Sequence, residues 1–121
     1  GSSSGSFQLS SGVVDYLLRP PGLVGSADVY AIFVEGDSMW PRWESGDPVV
    51  VHPHRPPKLG DCVILVVQEN GETTAYVKLL LRATSHEIEV KQFNPEKILK
   101  FQKKNILKMH RVVSFSELLG V

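Results

Sequence analysis

Apolar residues in this chain gather in short runs of strand length, bounded by turn residues, and in places alternate with polar ones at the period of two that marks a half-buried strand. Val29-Tyr30-Ala31-Ile32-Phe33-Val34-Glu35 is rich in β-branched and aromatic residues and stops at the turn signal Gly36-Asp37. A second predicted strand, Pro48 to His52, follows Ser45-Gly46-Asp47 and ends at Pro53-His54-Arg55-Pro56-Pro57, whose prolines lack the N–H a ladder requires. The third, Val63 to Gln68, begins after Gly60-Asp61, and Glu69-Asn70-Gly71-Glu72 then supplies the Asn-Gly pair of a tight hairpin into Thr73 to Arg82. From His86 to Gln92, Ile88 and Val90 alternate with Glu87, Glu89 and Lys91, and Ile106 to Phe115 closes the series. Helix signals are few. Val13 to Arg19 is expected to form a short helical turn before Pro20-Pro21, and Ser116 to Leu119 another. The fold class expected is mostly β, a single domain of folded or rolled antiparallel sheets.

A length of 121 residues with 42% hydrophobic and 21% charged residues suits one domain that can bury its own core. Basic and acidic residues balance at 13 each, so the total charge points to neither a nucleic-acid nor a membrane surface. The distribution is uneven: Lys91 to Arg111 is strongly basic around the lone acid Glu96, whereas Asp28 to Asp47 is acidic around Arg42. One cysteine, Cys62, rules out an internal disulfide framework and fits a reducing compartment. The longest aliphatic run, Cys62 to Val67, is far short of the roughly 18–20 residues of a membrane span. Residues 1–6 read as vector-derived, so the natural domain is expected over residues 7–121, excised from a longer protein.

Ser38 and Lys78 are the candidates for chemistry. A serine after a strand is ordinarily a turn residue that bonds its own backbone, and a strand lysine is ordinarily a solvated charge. Lys78, however, shares its face with Tyr76 and Leu80 and has Val77, Leu79 and Leu81 opposite, so it is expected in apolar company. Burial disfavours the ammonium and brings the amine toward a pKa at which it can take a proton near neutral pH. A serine hydroxyl is a weak nucleophile without such a base.

The other polar residues carry less. His52, His54, His86 and His110 match no metal-ligand spacing, so no metal or cofactor is expected. Cys62, at the start of an apolar strand, reads as a small core residue. Met39, Trp40 and Trp43 flank the serine and are candidate linings of a peptide cleft, although tryptophans more often simply pack. The basic run from Lys97 to Lys108 is interrupted by Ile98, Leu99, Phe101, Ile106 and Leu107 and reads as a half-buried strand with a solvated face.

Val34-Glu35-Gly36-Asp37-Ser38-Met39-Trp40-Pro41, Ser45-Gly46-Asp47-Pro48-Val49-Val50-Val51, Gly60-Asp61 and Tyr76-Val77-Lys78-Leu79-Leu80, in that order, resemble the C-terminal domain of LexA and phage CI-type repressors. UmuD and the signal peptidases belong to the same superfamily. The resemblance implies the LexA-like fold, with Ser38 as nucleophile, Lys78 as general base and the backbone N–H groups of Asp37 and Ser38 as the oxyanion hole. It also implies a homodimer in the cytoplasm of a bacterium, or encoded by a phage, with an N-terminal DNA-binding domain upstream. Members cut their own chain at an Ala-Gly or Cys-Gly bond a few tens of residues before the serine, stimulated in LexA-type members by RecA filaments of the SOS response. This chain departs from that pattern. Ser4-Gly5 falls in the vector-derived stretch, Pro21-Gly22 and Val24-Gly25 fit neither position nor type, and Leu79 follows the lysine where relatives often have arginine. Two function classes follow: a self-cleaving and dimerising domain of a repressor, or a catalytically silent dimerisation module of a prophage-type repressor, with a UmuD-like processing protein as a further alternative. Signal peptidases are anchored in membranes, and no span occurs in this sequence.

Overall fold

The computed structural model describes residues 7–9, 13–17 and 29–113. Nine strands appear among them: β1 (Phe7–Leu9), β2 (Val13–Leu17), β3 (Tyr30–Val34), β4 (Pro48–His52), β5 (Cys62–Glu69), β6 (Glu72–Ala83), β7 (Glu87–Phe93), β8 (Glu96–Gln102) and β9 (Ile106–Val112). They form one sheet in the order β2-β3-β4-β9-β5-β6-β7-β8, antiparallel at each step, with β1 added parallel to β6. The fold is mostly β and LexA-like in class, and the described helix is one 3-10 turn, Lys103–Asn105.

β5 lies at the middle of the strand order. Pairing with both β6 and β9 satisfies its backbone, and its side chains alternate between two cores. Cys62 and Ile64 join Ile32, Val34, Met39, Val49, Val51 and Val77 on one side. Val63, Leu65 and Val67 join Leu80, Ile88, Val90 and Phe101 on the other. Burying a residue of this size contributes about 1.5–3 kcal/mol, so these clusters hold the sheet together. Asn70 and Gly71 make the β5–β6 connection at φ values of 52° and 80°, the left-handed pair that a two-residue hairpin needs and that asparagine and glycine adopt most cheaply. β4 and β5 each begin after an aspartate that accepts a backbone N–H three residues earlier, Asp47 from Glu44 and Asp61 from Lys58, both at 2.8 Å.

Two expectations are corrected. Residues 13–17 are a strand, not a helical turn: Val13, Tyr16 and Leu17 pair with Val34, Ile32 and Ala31 on β3, because sheet pairing outweighs a weak local pattern. The basic run is not one half-buried strand but β8 and the start of β9, separated by the 3-10 turn, and its apolar members are divided. Phe101 is buried, whereas Ile98 and Leu107 are exposed. The turn expected at Ser116 to Leu119 and the strand residues expected beyond Val113 lie outside the described residues.

β6 positions the site. One edge pairs with β5 throughout Glu72 to Leu79, while the other passes from β1, opposite Thr73 to Ala75, to β7, opposite Leu79 to Ala83. Lys78 lies at that fork.

Candidate functional site

Gly36, at the end of β3, has φ of 88°, a conformation glycine adopts without strain, and it turns the chain so that Ser38 lies under the sheet. Met39 anchors the loop from the next position, 1% exposed in the core with Ile32, Val34 and Val49. Its carbonyl also accepts the N–H groups of Arg42 (2.8 Å) and Trp43 (3.1 Å), coiling the chain behind the serine. The loop is tied on a second side by the β7–β8 turn. Phe93 and Asn94 donate their backbone N–H groups to the Ser38 carbonyl at 2.8 and 2.9 Å, and the Asn94 side-chain amide donates to the Asp37 carbonyl at 3.2 Å. In a trans peptide the N–H points away from the preceding carbonyl. Fixing the Asp37 carbonyl therefore fixes the Ser38 N–H, one of the two expected oxyanion donors, in the opposite direction.

The structure brings the two chemical candidates together. Lys78 Nζ lies 3.0 Å from Ser38 Oγ, and both residues are buried, at 1% and 7% exposure. Lys78 Nζ also donates to Gln92 Oε1 at 3.1 Å, and the Gln92 amide nitrogen donates to the Pro95 carbonyl at 3.1 Å. Extending the Leu79–Lys91 pairing by one step sets Gln92 opposite Lys78, and Gln92 in turn faces Lys97 on β8. Val63 is the β5 partner of Lys78, and the Tyr76 ring centroid lies 5.7 Å from Nζ. Burial lowers the Lys78 amine from 10.5 to about 8, with the positive charge of Lys97 acting in the same direction. A substantial neutral fraction is thus available in mildly alkaline solution, and this amine can accept a proton from a hydroxyl at hydrogen-bond distance.

The remaining candidates take different places. Trp40 is half exposed and Trp43 partly buried against the core, so of the three proposed cleft residues these two offer surface, whereas the Met39 side chain is spent on the core. Trp43 lines a cavity of about 320 Å³ with Arg42, Asp61, Cys62 and Arg111; neither Ser38 nor Lys78 borders it. Cys62 is buried, and desolvation outweighs the opposing charge of Arg42, pushing its thiol up to about 11, so it stays protonated and weakly nucleophilic. His110 Nδ1 lies 3.1 Å from the Tyr30 hydroxyl, and no group of three or more potential metal ligands occurs among the described residues. No helix among the described residues is long and apolar enough to cross a membrane. Gln92 and Asn94 are the site residues that the sequence did not single out, because their roles depend on strand register and on a loop contact distant in the chain.

Comparison with known proteins identifies the family. Residues 3–110 match the family described as Peptidase S24-like. Over 118 residues, 93% of this chain, it is 30% identical to Repressor protein C of Rhizobium phage 16-3, and it covers 45% of that protein. The chain thus spans about half the length of this curated relative. No solved structure matches it. With most of its length matched and the serine and lysine of its sequence motifs in contact, the chain belongs to the Peptidase S24-like family.

Proposed function

We propose that this chain is the Ser-Lys peptidase and dimerisation domain of a repressor-type transcriptional regulator and that it cleaves its own polypeptide. The observation that carries the reading is the 3.0 Å contact between Ser38 Oγ and Lys78 Nζ in a buried setting. The likeness to a phage repressor supports the regulatory context. Neutral Lys78 removes the Ser38 proton as Oγ attacks the carbonyl carbon of a peptide bond. The oxygen of that carbonyl becomes the anion of a tetrahedral intermediate, held by the backbone N–H groups of Asp37 and Ser38. The Lys78 ammonium then returns its proton to the departing amine as the C–N bond breaks, leaving an ester on Ser38. Water, activated by the again neutral Lys78, hydrolyses the ester and restores the pair.

The test is incubation of the full-length protein at mildly alkaline pH with mass analysis of the products. Cleavage should rise about tenfold per pH unit up to the Lys78 midpoint near 8 and then level off. Ser38→Ala should abolish it, and Lys78→Ala should slow it by about 10²–10⁴-fold. Undiminished cleavage by either variant would sink the dyad. An intact wild-type protein under all these conditions would favour a silent dimerisation module. Adding RecA filaments at neutral pH tests the proposed trigger by the same readout. For the proposed homodimer, which would set two DNA-binding heads on symmetric half-sites, sedimentation across a concentration series should show a reversible dimer, and a strict monomer would remove that part of the reading.

A further inference from the structure

We infer that Gln92 is a positioning residue that aims the Lys78 amine at Ser38 without supplying the countercharge that would hold the amine as an ammonium. The inference rests on the Ser38–Lys78 reading above. A neutral lysine amine has two N–H bonds and one lone pair, and only the lone pair can take the serine proton. Holding one N–H on Gln92 Oε1, 3.1 Å away, restricts rotation about the terminal C–N bond and turns the rest of the amine toward Ser38 Oγ at 3.0 Å.

Which end of the Gln92 amide faces the lysine is itself determined. The opposite end meets the Pro95 carbonyl at 3.1 Å, and a carbonyl can only accept, so the NH₂ group must point there and the oxygen toward Lys78. A reversed amide would place a donor against Nζ and compete for the lone pair. Gln92 is 7% exposed, so water competes little for either bond.

The chemical type of the residue matters as much as its place. An amide oxygen accepts from an ammonium and from a neutral amine without carrying a countercharge. A carboxylate at the same distance would favour the ammonium and remove the base. The groups facing Lys78 are consistent with this: apolar Val63 on β5, the Tyr76 ring on β6, the Ser38 hydroxyl on its loop, neutral Gln92 on β7 and the cationic Lys97 next along the row on β8. No anion among the described residues is bonded to Nζ.

The experiment compares wild type, Gln92→Glu and Gln92→Met in the full-length protein, measuring the pH dependence of self-cleavage and, by ¹³C NMR of the lysine side chains, the titration of Lys78. Gln92→Glu should move both midpoints upward by about a unit or more, slowing cleavage about fivefold or more at pH 8 with recovery at higher pH. Gln92→Met, close in volume but without either hydrogen bond, should lower the plateau rate without raising the midpoint. Thermal unfolding of each variant verifies that it is folded. An unmoved midpoint in Gln92→Glu together with an unchanged plateau in Gln92→Met would overturn the role of Gln92 while leaving the dyad intact. A wild-type protein that stays uncut at a pH where NMR shows Lys78 neutral would instead overturn the dyad, and this inference with it.

Discussion

Lys78 titrates near 8 in the folded chain because its charge is held away from water, whereas in the unfolded chain it titrates near 10.5. Between those values the unfolded state binds the extra proton, so folding stability rises with pH across that window. Below 8 both states are protonated and the burial penalty is present in full; above 10.5 both are neutral and it is gone. The shift corresponds to about 3 kcal/mol. Urea unfolding of wild type and Lys78→Met should therefore show wild type gaining about 3 kcal/mol on the variant from pH 8 to 10.5, and a constant difference would contradict the buried amine. Ser38 and Lys78 were legible in the sequence because each stands within a local motif, and the apolar neighbours of Lys78 pointed to its burial. Gln92 was not. It lies at the end of an alternating stretch that looks like any half-buried strand, and only the cross-strand partner gives it meaning.

That partner is set by a single irregularity between β6 and β7. Near the hairpin, Ala83 pairs with Ile88 and Arg82 with Glu89, but beyond a bulge Leu80 pairs with Val90 and Leu79 with Lys91. Without the bulge the first register would run on and bring Phe93, rather than Gln92, opposite Lys78, with every β7 side chain on the other face. Alternation and turn residues revealed β3 to β7 with boundaries within about a residue or two, because Gly, Asp, Asn or Pro bounds most of their ends and Thr84-Ser85 separates β6 from β7. They could not reveal the bulge, which has no residue signature of its own in Leu80-Leu81-Arg82. β1 is too short for periodicity to identify, and β2, as long as β3 and β4, has Asp15 in its middle and no clean alternation, so pairing decides the state of both. The interior placement of β5 makes a separate prediction. Leu65 is fully buried between β6 and β9, so Leu65→Ala should cost about 2–5 kcal/mol in urea unfolding, and a cost under 1 kcal/mol would mean that β5 is not the central strand.

For the molecule as a whole, 13 basic and 13 acidic residues give a sequence pI of about 7.1. Proteins near zero net charge associate most readily, and Trp40, Leu59, Ile98 and Leu107 leave apolar surface exposed. Light scattering should show least solubility near pH 7 and a clear gain by pH 9; the opposite trend would point to association by a specific charged interface. The serine comes from the turn after β3, the lysine from β6, and the loop is secured by the turn between β7 and β8. Three stretches far apart in sequence must therefore dock before a base stands beside the hydroxyl. A chain that has emerged only as far as the serine holds an ordinary alcohol, and one misfolded at β7 lacks the brace that keeps the loop in place. In the proposed self-cleavage, reactivity of Ser38 would therefore report on completed folding and would spare a nascent or damaged polypeptide from premature self-destruction.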